Sequence, residues 1–418
     1  MTSAGVVRLG LGFVASLLIA RALGPADFGT YAVLAASVGI VGTLAEGGLT
    51  EAAVLRVSSV WPASPPEAEQ RARAFFWLRL AVSAAVVAVG LTVSRVVADG
   101  VLSGVDAGLL RWALTGIVAT AASGALSAVL QSTGRFGRMS SLTVINTGLT
   151  AALAAVLALL GRLDLLNALI VLGIGTSLAT FGAAALMLPA GWHLGLPSRQ
   201  RLQDEAAQLF HTGRWLWLAS LFAMLTANAE VLLLNRWAAL PLVGAYALAL
   251  NLASKADLVN QSLYTVLLPG ITGLDVRTQP RAYLWRGLVR GAAICLGLLV
   301  LVPLAQPLVV LLYGAEFGAA ATFLQLLLGV AILDVLLTPF LLLPLAYRQA
   351  RVLAAADAAR AVALIVVGLL AIPSIGPIGA VAARFAARIA GACVVALALY
   401  SGRQSLEVKH KEAAGIAE

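Results

Sequence analysis

Residues 4–55 read AGVVRLGLGFVASLLIARALGPADFGTYAVLAASVGIVGTLAEGGLTEAAVL, and the architecture follows from this stretch. It contains two apolar runs, 4–22 and 29–55, on either side of a short turn in which Gly24 and Pro25 end the first run. A helix needs about 20 apolar residues to cross the hydrocarbon core of a bilayer. The stretch therefore predicts two transmembrane helices joined by a tight turn.

The same pattern continues to the end of the chain. Ten further apolar runs are long enough to cross a bilayer, at 75–98, 108–132, 139–160, 165–189, 214–236, 241–268, 287–312, 319–346, 352–372 and 377–400. The 418 residues are 61% hydrophobic and only 11% charged, whereas soluble domains carry about 25% charged residues. We therefore predict an all-α integral membrane protein with about twelve transmembrane helices.

The loops between these runs differ in their content of basic residues. If the N-terminus is cytoplasmic, 17 basic residues lie in the inner loops and the C-terminal tail: Arg56, Arg71, Arg73, Arg135, Arg138, Arg199, Arg201, Arg214, Arg277, Arg281, Arg286, Arg290, Arg348, Arg351, Arg403, Lys409 and Lys411. The outer loops then hold five: Arg21, Arg95, Arg111, Arg162 and Arg236. Because arginine and lysine are enriched in cytoplasmic loops, both termini are predicted to be cytoplasmic.

An internal repeat divides the chain into halves. Four residues recur at a constant offset of 215: Arg21, Gly29, Tyr31 and Ala32 return as Arg236, Gly244, Tyr246 and Ala247. With six helices in each half, the repeat predicts two parallel lobes that enclose a central cavity and rock in alternating access. The predicted segments are the lobes 1–190 and 213–401, a cytoplasmic linker 191–212 with a short amphipathic helix, and a tail 402–418.

Several classes of function find no support in the sequence. There is no GxxxxGK[ST] phosphate loop, and His193, His211 and His410 are too scattered to suggest a metal site. Cys295 and Cys393 both lie in apolar runs and predict no disulfide framework. We therefore expect no catalytic residue, metal or cofactor. The net charge of +9 is spread over short loops and predicts no nucleic-acid partner, while the short outer loops disfavour a membrane-embedded polymerase or glycosyltransferase.

The eighth predicted helix has the most polar face. An arc of about 160° contains Asn251, Ser254, Lys255, Asp257, Gln261 and Ser262. Lys255 is the one lysine outside the C-terminal tail. Because an ionisable group within the bilayer is costly, such a residue is expected to face a cavity or a partner. We favour a cavity role for Lys255, with a structural pair to Asp257 as the alternative.

Two further charges belong to the first two helices. Thr43, Glu46 and Thr50 form a polar stripe, and the offset of 215 relates Glu46 to Gln261. Glu46 is a candidate proton carrier or, with equal weight, a structural partner of Arg8 or Lys255. Arg8 either lines the cavity or extends its side chain to the cytoplasmic interface.

The last three helices carry charges as well. Asp334 stands in the tenth helix, Asp357 and Arg360 form a predicted i, i+3 pair, and Arg384 and Arg388 lie one turn apart in the twelfth. The last two arginines either bind an anionic head group or pair with Asp334, and we favour the pairing. A cavity that contained Arg8, Lys255, Arg384 and Arg388 would be net cationic, which suits a phosphate or diphosphate that leaves water.

Three segments together resemble a known family. The segment Ile19–Tyr31, IARALGPADFGTY, is similar to the first-helix signature of the Wzx-type polysaccharide-biosynthesis flippases, which belong to the multidrug/oligosaccharidyl-lipid/polysaccharide exporter superfamily. Leu311–Phe317 resembles the short outer loop that follows the ninth helix of that family. Ile372-Pro373 and Gly376–Ala380 resemble its turn between the last two helices.

The resemblance implies a transporter of two six-helix lobes in the bacterial cytoplasmic membrane, not an enzyme. Its substrate would be a polyprenyl-diphosphate-linked oligosaccharide, moved from the inner to the outer leaflet and coupled to a proton or sodium gradient. The head-group ligands implied are Lys255 and Arg8, with Asn251, Gln261, Arg384 and Arg388 as further candidates. The candidates for ion coupling are Glu46, Asp257 and Asp334. A peptidoglycan-precursor flippase and a multidrug or cation antiporter are the alternatives.

Overall fold

The computed structural model describes residues 3–255, 280–346 and 349–415, and all regular structure in these ranges is helical. The helices are α1 (Ser3–Glu46), α2 (Leu49–Ser58), α3 (Pro65–Gly100), α4 (Ala107–Ser132), α5 (Phe136–Leu159), α6 (Leu165–Leu186), α7 (Arg199–Trp237), α8 (240–255), α9 (Pro280–Tyr313), α10 (Gly318–Leu341), α11 (Ala350–Ile375) and α12 (Pro377–Gly415). Single turns at Ala315–Phe317 and Leu343–Ala346 lie between the longer helices.

Helix α1 contains two membrane spans. Its 44 residues would extend about 66 Å if straight, roughly twice the thickness of a hydrocarbon core. Gly24 interrupts it with φ 69° and ψ 175°, a conformation that costs little only for glycine. The turn predicted at Gly24 and Pro25 is therefore present, and it separates the first two spans.

The described residues contain ten helices that are long and apolar enough to cross a membrane, the first of them being Gly5–Glu46. That helix holds the first predicted span and most of the second, whose predicted range 29–55 is broken at Gly47 and Gly48. Of the eighth predicted span, 241–268, only the part up to Lys255 lies within the described residues, and that part is helical. The prediction of an all-helical, multi-span membrane protein is confirmed.

The chain divides into two compact units, Met1–Gly244 and Ala245–Glu418. The core of the first unit joins α2, α3 and α4 through Leu49, Phe75, Phe76, Leu126 and Leu130, all of which are almost fully buried. In the second unit, Tyr246 of α8 packs edge-on against Phe323 of α10, with ring centroids 6.1 Å apart. The predicted segment boundaries at 190, 212 and 401 stay predictions.

The linker region differs from the sequence prediction. Instead of a short amphipathic helix before a separate span, one continuous helix of 39 residues, α7, runs from Arg199 to Trp237. Glu205, expected on an exposed linker helix, is only 4% exposed. It accepts hydrogen bonds from Arg56 Nε at 3.2 Å and Nη2 at 3.4 Å, and Arg71 Nε lies 3.7 Å away. These contacts attach the start of α7 to α2 and α3, which no local sequence pattern could show.

Helices α1 and α8 approach each other closely at two glycines inside the first unit. A Cβ on Gly29 would collide with the carbonyl oxygen of Leu240, and one on Gly244 would collide with that of Pro25. Gly29 and Gly244 are the glycines that recur at the offset of 215, as are the positions of Pro25 and Leu240. The contact is therefore reciprocal, because each glycine meets the carbonyl oxygen of the residue four positions before the other glycine.

Candidate functional site

A polar site in the first unit lies where α1 ends. Glu46 is the last residue of α1, and Gly47 and Gly48 follow with φ 59° and 68°. Both glycines are in the left-handed region, which turns the chain from α1 into α2. Gly48 also lies against Gly213 of α7, where a Cβ on either glycine would collide with the carbonyl oxygen of the other. The Glu46 carboxylate is thus held at a fixed break in the helix.

The partner of Glu46 is Arg79, from the middle of α3. Arg79 Nη2 lies 3.7 Å from Glu46 Oε1, and the two side chains are 11% and 27% exposed. The carboxylate of Glu51, on the other side of the glycine break, also acts electrostatically on Arg79. The sequence analysis offered Arg8 or Lys255 as the partner of Glu46, and the structure corrects this, since the ion pair is formed with Arg79.

Sequence reasoning missed Arg79, although a signal was available. The residue lies inside the apolar run 75–98 and places a charge within it. A basic residue within a span is costly unless it has a partner or faces water. That argument alone would have marked Arg79 as a candidate.

The polar face of α8 is described only in part. Lys255 and Asn251 are both partly buried, and the Asn251 carbonyl oxygen accepts a hydrogen bond from Ser254 Oγ at 2.7 Å. Asp257 and Gln261, the other two site residues predicted for this helix, lie outside the described residues. Arg8, on α1, is exposed.

The second unit contains an ionic cluster on α10, α11 and α12. Arg388 Nε lies 2.7 Å from Asp334 Oδ1, with side chains 25% and 12% exposed, so the favoured pairing of these residues is present. Arg384, one turn before Arg388, is partly buried. The predicted pair of Arg360 with Asp357 is also present, at 3.0 Å.

Arg360 owes its position to a glycine on the neighbouring helix. A Cβ on Gly391 of α12 would collide with Arg360 Nε and would lie 2.8 Å from its Cγ. The long Arg360 side chain therefore crosses α12 at Gly391, because any residue with a Cβ at that position would collide with it. Arg360 of α11 thus packs directly against the backbone of α12 while it pairs with Asp357.

Two polar side chains on α7 are buried and were not predicted. Glu230 and Asn235 are each 1% exposed. Asn235 exchanges two hydrogen bonds of 2.9 Å with the backbone of Ser103, in the turn between α3 and α4, which is a structural role. Both belong to the run 214–236, where sequence reasoning saw only an apolar span.

The two units therefore each hold a carboxylate paired with an arginine within the predicted membrane spans. Such a pair can exist in two states, because the carboxylate either neutralises the arginine or binds a proton or another cation and releases it. Within the ranges that the structure describes, no three His, Cys, Asp or Glu side chains are placed to hold a metal ion.

Comparison with known proteins gives a family and a fold. A family model described as "Polysaccharide biosynthesis protein" matches residues 18–322. The structure of the lipid II flippase MurJ in its inward closed conformation matches with a TM-score of 0.71 and 13% identity, over 95% of this chain and 86% of that one. No curated protein matches the chain.

Multidrug transporters share the fold as well. An inward-facing multidrug resistance MATE family transporter of the MOP superfamily matches with a TM-score of 0.71 and 17% identity, over 97% of this chain and 99% of that one. The eukaryotic MATE transporter AtDTX14 matches with a TM-score of 0.59 and 13% identity, over 94% and 92% of the two chains. At these identities the similarity shows the fold alone.

Proposed function

The chain belongs to the polysaccharide biosynthesis protein family, and from that premise we propose that it is a flippase for a polyprenyl-diphosphate-linked oligosaccharide. It moves this lipid from the inner to the outer leaflet of the bacterial cytoplasmic membrane and catalyses no chemical reaction. The observation that carries the proposal is the family match over residues 18–322, most of the chain.

The charges within the membrane spans support the same substrate class. A diphosphate that leaves water needs compensating positive charge, and the described spans place Arg79, Lys255, Arg384 and Arg388 where such charge is otherwise costly. We assign Lys255 and Arg8, with Asn251, Gln261, Arg384 and Arg388, to head-group binding. The fold does not separate this function from drug export, because the MurJ and MATE structures match equally well.

We propose that transport is coupled to an ion gradient through the two carboxylate–arginine pairs. A proton or sodium ion that binds Asp334 neutralises its carboxylate and releases Arg388 from the 2.7 Å contact. Glu46 and Arg79 offer the same exchange in the first unit, and Asp257 is the third coupling candidate. In this scheme a released arginine can bind phosphate, so the state of each carboxylate is coupled to the occupancy of its arginine.

The experiment that tests the function is a leaflet-accessibility assay with the purified protein in proteoliposomes. A polyprenyl-diphosphate oligosaccharide and a cationic dye are supplied in parallel, and Lys255→Ala and Glu46→Gln are compared with the outer-loop control Arg162→Ala. We expect the glycan lipid to cross and the dye to stay, with crossing lost in Lys255→Ala and kept in the control. Movement of the dye without the glycan lipid would instead make the protein a drug or metabolite exporter.

A further inference from the structure

The guanidinium of Arg79 is buried without enough acceptors. Its contact with Glu46 is 3.7 Å long, beyond the range of a hydrogen bond. Its Nε and Nη1 are both inaccessible to solvent and have no hydrogen-bond acceptor among the described residues. One turn further along α3, the hydroxyl of Ser83 is fully buried and likewise has no hydrogen-bond partner in the described part of the chain.

This combination is unfavourable unless another molecule completes it. Arginine stays charged in proteins, and a buried donor that lacks an acceptor loses its hydration without compensation. A guanidinium binds a phosphate through two parallel hydrogen bonds, from Nη2 together with either Nε or Nη1. A phosphate that takes the place of the carboxylate at Nη2 can therefore also engage one of the two unused donors. A carboxylate at 3.7 Å neutralises the charge but leaves these donors unused.

Access to the group is from the side of Glu46. The Glu46 side chain is 27% exposed and the Arg79 side chain 11%, so the carboxylate lies on the open side of the pair. The break at Gly47 and Gly48 fixes the position of Glu46 relative to α3. An anion that reaches Arg79 from the open side must therefore displace or share the place of the carboxylate.

We propose that Arg79, together with the hydroxyl of Ser83 one helical turn further along α3, binds a phosphate or diphosphate group, and that the Glu46 carboxylate occupies the position of that group when no ligand is bound. The assignment rests on the proposed function in one respect, namely that the phosphate belongs to a polyprenyl lipid rather than to a free anion. Glu46 then competes with the ligand, so removing its charge strengthens phosphate binding. If the pair were only structural, loss of either partner would have the same effect.

Binding measurements on the full-length protein in detergent test this assignment. The probes are farnesyl diphosphate, inorganic pyrophosphate and farnesol, each measured by isothermal titration calorimetry at low ionic strength. The variants are Arg79→Gln, Arg79→Lys, Glu46→Gln and Ser83→Ala. The matched control is Arg95→Gln, which makes the same change on an exposed arginine near the other end of α3.

We expect Arg79→Gln to weaken farnesyl diphosphate binding at least tenfold and to leave farnesol binding unchanged. Arg79→Lys keeps the positive charge but lacks the paired N–H donors of the guanidinium, so it should recover part of the affinity. Partial recovery would also show that the variant protein is folded at this site. Glu46→Gln should tighten binding severalfold, Ser83→Ala should weaken it by a smaller factor, and Arg95→Gln should have no effect. If pyrophosphate binds as tightly as farnesyl diphosphate, and only when Arg79 is present, the phosphate site is supported. Its ligand would then be a free anion and not a lipid.

Two results would overturn the assignment. One is wild-type affinity for both phosphates in Arg79→Gln, and the other is a loss of affinity in Glu46→Gln as large as that in Arg79→Gln. The transport assay separates this from the proposed function. Transport of the glycan lipid at the wild-type rate by Arg79→Gln contradicts the site alone, whereas Arg79-dependent phosphate binding by a protein that does not move the glycan lipid contradicts the function alone.

Discussion

Glu205 and its two arginines show how individual charges join helices outside the predicted apolar runs. The carboxylate is almost completely buried, while Arg56 and Arg71 are each 19% exposed. Arg71 also contacts Glu67 at 2.6 Å and donates to the backbone carbonyl of Arg56 at 3.0 Å. Because these residues come from α2, α3 and α7, the cluster joins three helices through a shared buried carboxylate.

We therefore expect Glu205→Gln to destabilise the protein by about 1–3 kcal/mol, because it leaves two partly buried arginines without their shared carboxylate. The measurement is the apparent melting temperature of the purified protein in detergent. Asp204→Asn is the matched control, since Asp204 is the exposed neighbour on the same helix and should change the melting temperature little. Equal shifts in the two variants would show that the cluster contributes nothing specific.

The pair of Asp334 and Arg388 leads to a second prediction at the same scale. Asp334→Asn leaves a cation in the second unit without its carboxylate at 2.7 Å, so both stability and transport should fall. The charge-reversed double variant, Asp334→Arg with Arg388→Asp, should regain part of the stability, with a coupling energy of about 1–3 kcal/mol.

Asp357→Asn provides the control for this pair. Asp357 also contacts an arginine, at 3.0 Å, but its side chain is 71% exposed. An exposed pair contributes about 0–1 kcal/mol, so the variant should be close to the wild type. The coupling would be refuted if the double variant lost as much stability as the two single variants Asp334→Arg and Arg388→Asp lose together.

At the scale of helices, the contact between Gly29 and Gly244 requires the absence of side chains. Gly29→Ala places a methyl group against the Leu240 carbonyl oxygen and 3.0 Å from the Gly244 nitrogen, and backbone atoms cannot move aside as side chains can. We expect a loss of about 1–3 kcal/mol, together with slower transport because α1 and α8 are forced apart. The measurements are the melting temperature in detergent and the transport rate in proteoliposomes.

Gly42→Ala is the control in the same helix. A Cβ on Gly42 meets no atom within 4 Å, and alanine is favoured over glycine within a helix by about 1 kcal/mol. This variant should therefore be as stable as the wild type or more so. The interpretation of Gly29 fails if the two substitutions behave alike.

The helices were predictable and their partners were not, for a physical reason. Length and hydropathy are local properties, and they located the helices of the described residues, including the turn at Gly24. The burial of Glu205 depends instead on arginines that are distant in sequence. Arg56, for example, lies 149 residues before Glu205. Likewise, the pairing of Glu46 with Arg79 depends on which helix packs beside α1, and helical periodicity carries no information about that.

At the scale of the whole molecule, the same distinction applies to the candidate site. The pairing of Arg388 with Asp334 could be predicted because few compensating charges are available to an arginine within a span. The residues of the eighth helix were chosen for their common face, and two of them, Asp257 and Gln261, lie beyond the described residues. A periodic polar face identifies a helix side that avoids lipid, but it does not say which ligand that side meets.

Orientation in the membrane is a property of the whole chain, and it decides from which leaflet a ligand reaches Arg79. The distribution of basic residues, 17 on one side and five on the other, predicts cytoplasmic termini. Gly100→Cys, at the end of α3, and Gly137→Cys, at the start of α5, form a matched pair of probes on opposite sides. Both positions are exposed, and a Cβ on either meets no atom within 4 Å.

In a background with Cys295→Ala and Cys393→Ala, an impermeant maleimide added to intact spheroplasts should label Gly100→Cys alone and both variants after permeabilisation. That pattern places the end of α1, with Glu46 and Arg79, near the cytoplasmic surface, where a lipid substrate from the inner leaflet would enter. The reverse pattern would place the pair near the outer surface. Arg79 would then be suited to release rather than to capture of the substrate, and the direction of transport proposed above would have to be reversed.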